Sequence, residues 1–511
     1  MKKFIPLLFA IIGCLDAGYL TYERFAKLII PCSTGYFVDC GKVLESPYAT
    51  PFGIPLAVIG LFHYTLFLIV AALLIRFKNE WLKRILFIIT AVGALASLYF
   101  VYLQIFAIGA ICVYCMVSAI NSFAAYFVLR IVYKNEYRKW LIWLISFLYV
   151  AVVKKICFSI DPEFVHNRMT ENGQILGKVG IIKKVFSWIF AQKDTVISQK
   201  IDNITFASPV GLAAGFDYEA RLTQILPAIG FGFQTVGTIT NQPYGGNKRP
   251  ILGRLPKSKS LMVNKGFKNE GADCVISKLT DKQFMVPVGI SIGQTNGMKA
   301  SSIADVITDV TSAFSKFEKS SLHHSYYELN ISCPNLSSTI SFYQPENLKM
   351  LLKAVDVLKI KRPIYIKMPI EKSDKEFKAM LSIIVKHTVK GIIVGNLQKN
   401  KKDPAFDSAE VKQWSQGAFS GKPTERRSNE LISLAYQTVG KKLTVIGCGG
   451  IFNAQDAYTK IKSGASLVQL ITGMIYQGPQ LIAQLNEELS ILLKKDGYKN
   501  IREAVGRSHH D

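Results

Sequence analysis

The chain has 511 residues, half of them hydrophobic and 19% charged, with a positive mean hydropathy. That balance excludes a disordered chain and an ordinary soluble one, so part of it belongs in lipid. The net charge of +25 could face nucleic acid, anionic lipid or acidic metabolites, and its placement beside apolar runs favours lipid. Nine cysteines in so long a chain do not make a disulfide-stapled scaffold; they read as a few working thiols.

Phe4 to Leu20 is almost wholly apolar and follows Lys2 and Lys3. No small-x-small cleavage signal follows it, so it reads as a retained span. Phe52 to Ile75 is a second apolar run, and Ile85 to Tyr133 a third of 49 residues. As one helix the third would be about 73 Å long, more than twice the hydrocarbon core. It is therefore expected to fold back between Gln104 and Gly109, which gives a four-helix transmembrane bundle over residues 1–135. The basic clusters Arg76, Lys78, Lys83, Arg84 and Arg130, Lys134, Arg138, Lys139 share a side with the N-terminal lysines. The positive-inside rule makes that side cytoplasmic, in the cell (inner) membrane.

Cys32 and Cys40, with the turn to Cys112-Val-Tyr-Cys115, then fall at the extracytoplasmic face. A Cys-x-x-Cys opening a helix has its thiolate favoured by the helix N-terminus, and a loop pair can relay electrons to it by disulfide exchange. Buried structural thiols or a metal site are the alternatives; no His lies near enough to complete a zinc set, and no metal is expected. Asp16, within the first span, should face the bundle, for packing before proton transfer.

Pro31-Cys32, Asp39-Cys40-Gly41-Lys42-Val43-Leu44, Ser46-Pro47-Tyr48, Phe52-Gly53-Ile54-Pro55 and Cys112-Val-Tyr-Cys115 together resemble the vitamin K epoxide reductase family over about 130 residues. The resemblance implies that Cys112 and Cys115 face a bound quinone, ubiquinone or menaquinone. Cys32 and Cys40 would shuttle electrons from a thiol partner, and Ser46 would lie by the quinone. The thioredoxin-like domain that bacterial members often carry is not visible here, so a separate periplasmic thioredoxin-like oxidoreductase would be that partner.

Residues 136–200 read as a helical, membrane-associated connector. Trp140 to Val153 is a 14-residue apolar stretch with basic residues at both ends, which suits an interfacial helix better than a fifth span. Asp161-Pro162-Glu163 opens a helix as cap, first-turn proline and N-terminal acid. Ile181 to Phe190 is amphipathic, and His166 reads as structural.

From residue 201 to 511 apolar strand-like runs alternate with helical patterns. Eight runs begin at Val210, Phe233, Val286, Tyr327, Pro363, Gly391, Leu443 and Leu467, as in a (β/α)8 TIM barrel. Polar or glycine residues follow each run, where barrels hold their sites. The last two clusters, Gly447-Cys448-Gly449-Gly450 and Thr472-Gly473, suit a cofactor phosphate. Cys333, in Asn330-Ile-Ser-Cys333-Pro-Asn335, could abstract a proton if its pKa were lowered toward neutrality. His323 and His324 read as solvated loop residues.

Ser159-Ile-Asp-Pro-Glu-Phe-Val-His166, Pro209-Val-Gly-Leu-Ala-Ala-Gly-Phe-Asp217, Val236-Gly-Thr-Ile-Thr240, Asn264-Lys-Gly-Phe-Lys-Asn269, Leu329 to Asn335, Ser420-Gly-Lys-Pro423, Ile446 to Ile451 and Gly464-Ala-Ser-Leu-Val-Gln469 resemble the membrane-bound, quinone-dependent class 2 dihydroorotate dehydrogenases. The resemblance covers roughly residues 157–490. It implies FMN contacts from Ala214, Gly215, Asp217, Thr238, Asn330, Lys367, Gly421, Gly449, Gly450, Thr472 and Gly473, with Asn330, Asn335 and Asn396 on the orotate ring. Cys333 would take the C5 proton as the C6 hydride passes to the flavin, and quinone would reoxidise the flavin through the connector.

Three departures stand out. Cys333 is the base of soluble class 1 enzymes, where class 2 has Ser, and it should ionise at lower pH and react with alkylating agents. The lysine for the substrate carboxylate is here Tyr218, with Lys265 close by to restore the charge. Ser291 and Gly395 replace the usual Asn and Thr beside FMN. The implied activity is membrane-bound oxidation of dihydroorotate in pyrimidine (UMP) biosynthesis, fused to a quinone-reducing thiol oxidoreductase that supports disulfide formation; no nucleic acid is expected as a partner. The alternatives are a barrel acting on another reduced pyrimidine or an RNA dihydrouridine, or a non-catalytic scaffold.

Overall fold

The computed structural model describes the chain except residues 1–3, 27–36, 78, 193, 338–339 and 510–511. It divides into two compact units, Met1–Trp143 and Leu144–Asp511.

The first unit is helical. Its long helices are α1 (Ile5–Ala26), α2 (Leu56–Arg76), α3 (Glu80–Leu103) and α4 (Val113–Val132). Each is long and apolar enough to cross a membrane, and their many exposed large apolar side chains, among them Leu15, Phe62, Leu95 and Ile131, suit lipid as the surrounding solvent. Inside, small residues let helices approach: a Cβ at Gly13 would strike the Tyr64 ring, and one at Gly93 the His63 ring. Tyr64 Oη in turn reaches Ser122 Oγ at 2.8 Å and donates to the Ser118 carbonyl at 3.0 Å.

The expected reversal is where the residues place it. After α3 the chain makes a wide turn over Gln104–Ile108 and stops at Gly109, whose φ of 66° is left-handed. A helix C-terminus of this form favours glycine.

A fifth helix, α5, runs from Lys134 to Ser159 through a wider π-helical segment at Tyr149–Val153 and is also long and apolar enough to cross a membrane. The apolar core from Trp140 to Val153 is only part of it, because helix-forming basic residues extend both ends. The boundary between the two units falls within this helix.

The second unit opens with α6 (Pro162–Lys178) and α7 (Gly180–Phe190). As the sequence indicated, Asp161 caps α6 by accepting from Phe164 N at 2.8 Å, with Pro162 in the first turn. These helices expose Phe164, Met169, Ile175, Ile181, Val185 and Trp188, an apolar face suited to a lipid interface.

All eight expected strands form and close into a parallel barrel: β1 (Val210–Leu212), β2 (Phe233–Ile239), β3 (Val288–Ile292), β4 (Tyr326–Asn330), β5 (Ile364–Met368), β6 (Gly391–Val394), β7 (Thr444–Cys448) and β8 (Leu467–Leu470). Every residue of seven of them is buried, as in strands covered on both faces. The N-terminal end is stoppered by an antiparallel hairpin, Gln199–Ile201 with Ile204–Phe206. Phe206 packs among Phe233, Tyr326, Tyr365, Ile393, Ile446 and Leu467, so the barrel is a filled core that leaves its C-terminal face for a site. A second small sheet, Leu252–Leu255, Ser260–Val263 and Ala418–Phe419, was not foreseen from the sequence.

One expectation is corrected. His323 is exposed, but His324 is buried between Phe317 and Tyr327, its ring 4.4 Å from that of Tyr327. Burial, with Arg362 nearby, pulls its pKa down to about 3, so it is a neutral core residue.

Candidate functional site

In the helical unit, Cys112 is the N-cap of α4 and its sulfur accepts from Cys115 N at 3.4 Å. Cys112 N donates to Gln104 Oε1 at 2.8 Å, so the turn that reverses the chain also fixes the first thiol. Cys40 is disulfide-bonded; Cys32 lies outside the described residues. Cys40 and Cys112 share one buried cluster with Val43 and Ala110, and Cys115 packs against it. Backbone pairing makes this so: Asp39 N donates to the Ile111 carbonyl at 3.1 Å and Ile111 N to the Phe37 carbonyl at 2.8 Å. Cys115, Ser46, Asp16, Tyr64 and Ser118 line a cavity of about 2300 Å³, part of it open to the outside. Ser46 Oγ is spent on the Val43 carbonyl at 2.8 Å. Asp16 does face the bundle, and its Oδ2 has no hydrogen-bond partner among the described residues.

In the barrel unit, a cavity of about 880 Å³ opens at the C-terminal ends of the strands. Ala214, Gly215, Thr238, Asn330, Lys367, Asn396 and Thr472, placed there by six different strand ends, line it together with Lys265, Cys333 and Asn335. Asn330 Nδ2 donates to Thr238 Oγ1 at 2.8 Å. Asn396 Nδ2 reaches Ser332 Oγ at 2.6 Å, and Asn335 Nδ2 donates to the Val263 carbonyl at 2.9 Å. The loops carrying Lys265 and Asn335 are tied by Asn247, which no motif announced: its Nδ2 donates to Asn264 Oδ1 at 3.0 Å and to the Asn335 carbonyl at 2.8 Å.

Lys265 Nζ lies 4.2 Å above the Tyr218 ring, and Tyr218 stacks on His166 of α6 at 5.4 Å. Burial, with Lys268 beside it, brings the Lys265 ammonium down to about 7. Burial and the cations Lys265, Lys268 and Arg221 hold His166 well below its ordinary value, which fits the structural role read for it.

Cys333 departs from its expectation. Burial pushes its thiol up to about 12, against the weaker pull of the Asn335 N–H, Lys399 and Lys367. The structure brings it to the cavity without the activation the sequence suggested, because burial disfavours the thiolate.

Other expected residues stand apart. Asp217 does not line the cavity; its carboxylate accepts from Arg221 N at 2.7 Å and Leu222 N at 3.0 Å, and burial raises its pKa to about 6. Gly421, Gly449, Gly450 and Gly473 also lie outside the lining set, though their neighbours Ser420 and Thr472 are in it, joined at 2.7 Å. At 450 a Cβ would run into Glu425, and at 473 into the Ile451 carbonyl. These turns are therefore glycine because the backbone passes too close for a side chain.

The donor set fits a flavin nucleotide. Lys367 Nζ has one described partner, Glu328 at 3.8 Å, which is outside hydrogen-bond reach and leaves its donors free for a ring acceptor. The lining also offers the Ser420 and Thr472 hydroxyls, and Ala214, Leu261, Val263 and Ile471 give apolar walls. Beside the cavity, Phe158 meets Tyr476 edge to face at 5.2 Å, and Arg254 Nη1 donates to the Ile160 carbonyl at 2.6 Å.

Residues 196–493 match the family model described as dihydroorotate dehydrogenase, and residues 4–131 match the vitamin K epoxide reductase family. The dihydroorotate dehydrogenase (quinone) of Trichodesmium erythraeum is 31% identical over 379 residues, spanning 70% of this chain and 98% of its own. That of Corynebacterium glutamicum (strain R) is 32% identical over 352 residues, 69% of this chain and 93% of its own. A crystal structure of DHODH from Eimeria tenella in complex with ferulenol superposes with a TM-score of 0.61 at 25% identity, covering 69% of this chain and 96% of that one. The chain is thus an oxidoreductase that belongs to the dihydroorotate dehydrogenase family and carries, ahead of its barrel, a domain of the vitamin K epoxide reductase family.

Proposed function

We propose that the barrel oxidises dihydroorotate to orotate for UMP synthesis and passes the electrons to ubiquinone or menaquinone, and that the helical domain independently couples thiol oxidation to the same quinone pool. The observation that carries the first half is the single cavity that gathers Asn330, Cys333, Asn335, Lys367 and Asn396. An FMN bound there supplies a hydride acceptor for C6 of the substrate. Asn330, Asn335 and Asn396 orient the pyrimidine ring, Lys265 meets its carboxylate, and Cys333 takes the C5 proton in its thiolate form, which only a small fraction of the protein carries at neutral pH. Lys367 offers positive charge to the ring that receives the hydride. Quinone reaches the flavin between α6 and the barrel, past Phe158, Arg254 and Tyr476.

In the helical domain Cys112 and Cys115 give up two electrons and two protons to quinone and become a disulfide. Electrons are replenished through Cys40 and Cys32 from a separate periplasmic thioredoxin-like oxidoreductase. The basic clusters at the ends of α2, α3 and α4 support an inner-membrane protein with its redox cysteines outside and its barrel at the cytoplasmic face. The phosphate of FMN lies toward Ser420 and Thr472, with the turns at Gly421, Gly449, Gly450 and Gly473 behind them.

Anaerobic titration of the purified chain with dihydroorotate tests the barrel. Bleaching of the flavin band with stoichiometric orotate is expected; a flavin band that dihydroorotate leaves untouched, or bleaching by a dihydrouridine instead, would refute it. For the helical domain, reduced chain in quinone-loaded vesicles is expected to oxidise Cys112 and Cys115 in step with quinol formation.

A further inference from the structure

The barrel interior holds a carboxylate that the chemistry above does not use. Glu328, on β4, has no exposed surface. Its Oε1 accepts from Ser291 Oγ at 2.8 Å and lies 3.8 Å from Lys367 Nζ, while Oε2 has no hydrogen-bond partner among the described residues. The strand register accounts for the grouping: Ser291 is opposite Glu328, and Asn330 is opposite Lys367. Neighbouring bonds continue the line, because Thr238 Oγ1 meets Ser291 Oγ at 2.9 Å and Asn330 Nδ2 donates to Thr238 Oγ1 at 2.8 Å. An unbroken run of polar contacts therefore joins Asn330, which lines the cavity, to Lys367 on the next strand.

A buried carboxylate with half its acceptor capacity unmet is costly unless its charge has a use. Glu328 lies too far from Lys367 to bind its ammonium protons and close enough to act on its charge. Lys367 thus keeps its donors for the cavity while its field is partly cancelled from beneath.

We propose that Glu328 is a positioning residue that sets how much positive charge Lys367 presents to the bound flavin, and so sets the flavin's reduction potential. This rests on the FMN reading of the cavity. The reduced ring gains negative charge, which Lys367 favours and Glu328 opposes. Ser291 holds Glu328 in place by the one hydrogen bond its side chain makes to that carboxylate.

The test is spectroelectrochemical titration of the flavin in the full-length chain, wild type against Glu328→Gln, which keeps shape and removes charge. The potential is expected to rise, so that at a fixed dihydroorotate to orotate ratio the reduced-to-oxidised flavin ratio increases about tenfold or more. Ser291→Ala, which removes the hydrogen bond but leaves the charge, is expected to shift the potential by less than Glu328→Gln does. In a Lys367→Met background the Glu328→Gln shift is expected to shrink to less than about threefold, because the residue acts through the lysine. A flavin-loaded Glu328→Gln chain whose potential is unchanged or lowered overturns the proposal and leaves the cofactor reading intact. A wild-type chain that binds no flavin overturns both.

Discussion

At the scale of single residues, placement and readiness are different properties. Cys333 stands at the cavity where its motif put it, yet burial holds its thiol near 12. A group raised this far is protonated through the neutral range, and its thiolate fraction grows tenfold per pH unit until the pKa is passed. Alkylation of Cys333 by iodoacetamide is therefore expected to be slow at pH 7 and to keep accelerating through pH 10; a plateau near pH 8 would contradict the buried thiol. Cys333→Ala is expected to keep the flavin while losing substrate-driven bleaching. Lys265 moves the other way, down to about 7, so it is charged below that pH and neutral above it. Orotate should bind more tightly at pH 6 than at pH 8.5, read from the perturbed flavin spectrum. Lys265→Met is expected to weaken binding about tenfold at pH 6 and to abolish that pH dependence. The motifs showed which side chains converge, but not their electrostatic state. His324 and Asp217 make the same point: each owes its role to neighbours, Phe317 and Tyr327 or the Arg221 and Leu222 amides, that no local pattern reveals.

At the scale of elements, the eight barrel strands were readable because strands buried on both faces are short unbroken apolar runs. The reversal at Gly109 was readable from length alone, since one helix of that size overshoots the bilayer. The sheet formed by Leu252–Leu255, Ser260–Val263 and Ala418–Phe419 was not, because its strands are very short and one edge arrives from far along the chain. It matters to the site, as Leu252, Leu261 and Val263 wall the cavity. The Gln199–Phe206 hairpin was missed for the same reason, and its weight can be measured. Phe206 is fully buried in an aromatic layer, so Phe206→Ala is expected to cost about 3–5 kcal/mol. A lower denaturant midpoint for flavin release, with unchanged flavin stoichiometry in native buffer, is the expected result.

At the scale of the whole molecule, the sequence separates two redox modules by composition, and the structure separates them at Trp143 and Leu144. What composition left open is the character of the link. The 26-residue helix from Lys134 to Ser159 is long enough to cross a bilayer, yet basic residues stand at both its ends. Membrane-impermeant maleimide on intact cells decides its disposition. With the basic clusters setting orientation, reduced Cys115, which lines the open cavity, is expected to react from outside, while a cysteine at exposed Met350, introduced as Met350→Cys, is expected to react only after permeabilisation. Reaction of both from outside would make the link a fifth crossing and place orotate formation outside the cytoplasm.

The strap between residues 37 and 40 is stitched to Ile111 by main-chain bonds on either side of it, Asp39 N to Ile111 and Ile111 N to Phe37. Because amides rather than side chains set this seam, the spacing between Cys40 and Cys112 belongs to the backbone and should survive almost any substitution along the strap. Evolution could therefore vary the side chains along the strap without moving the two cysteines apart.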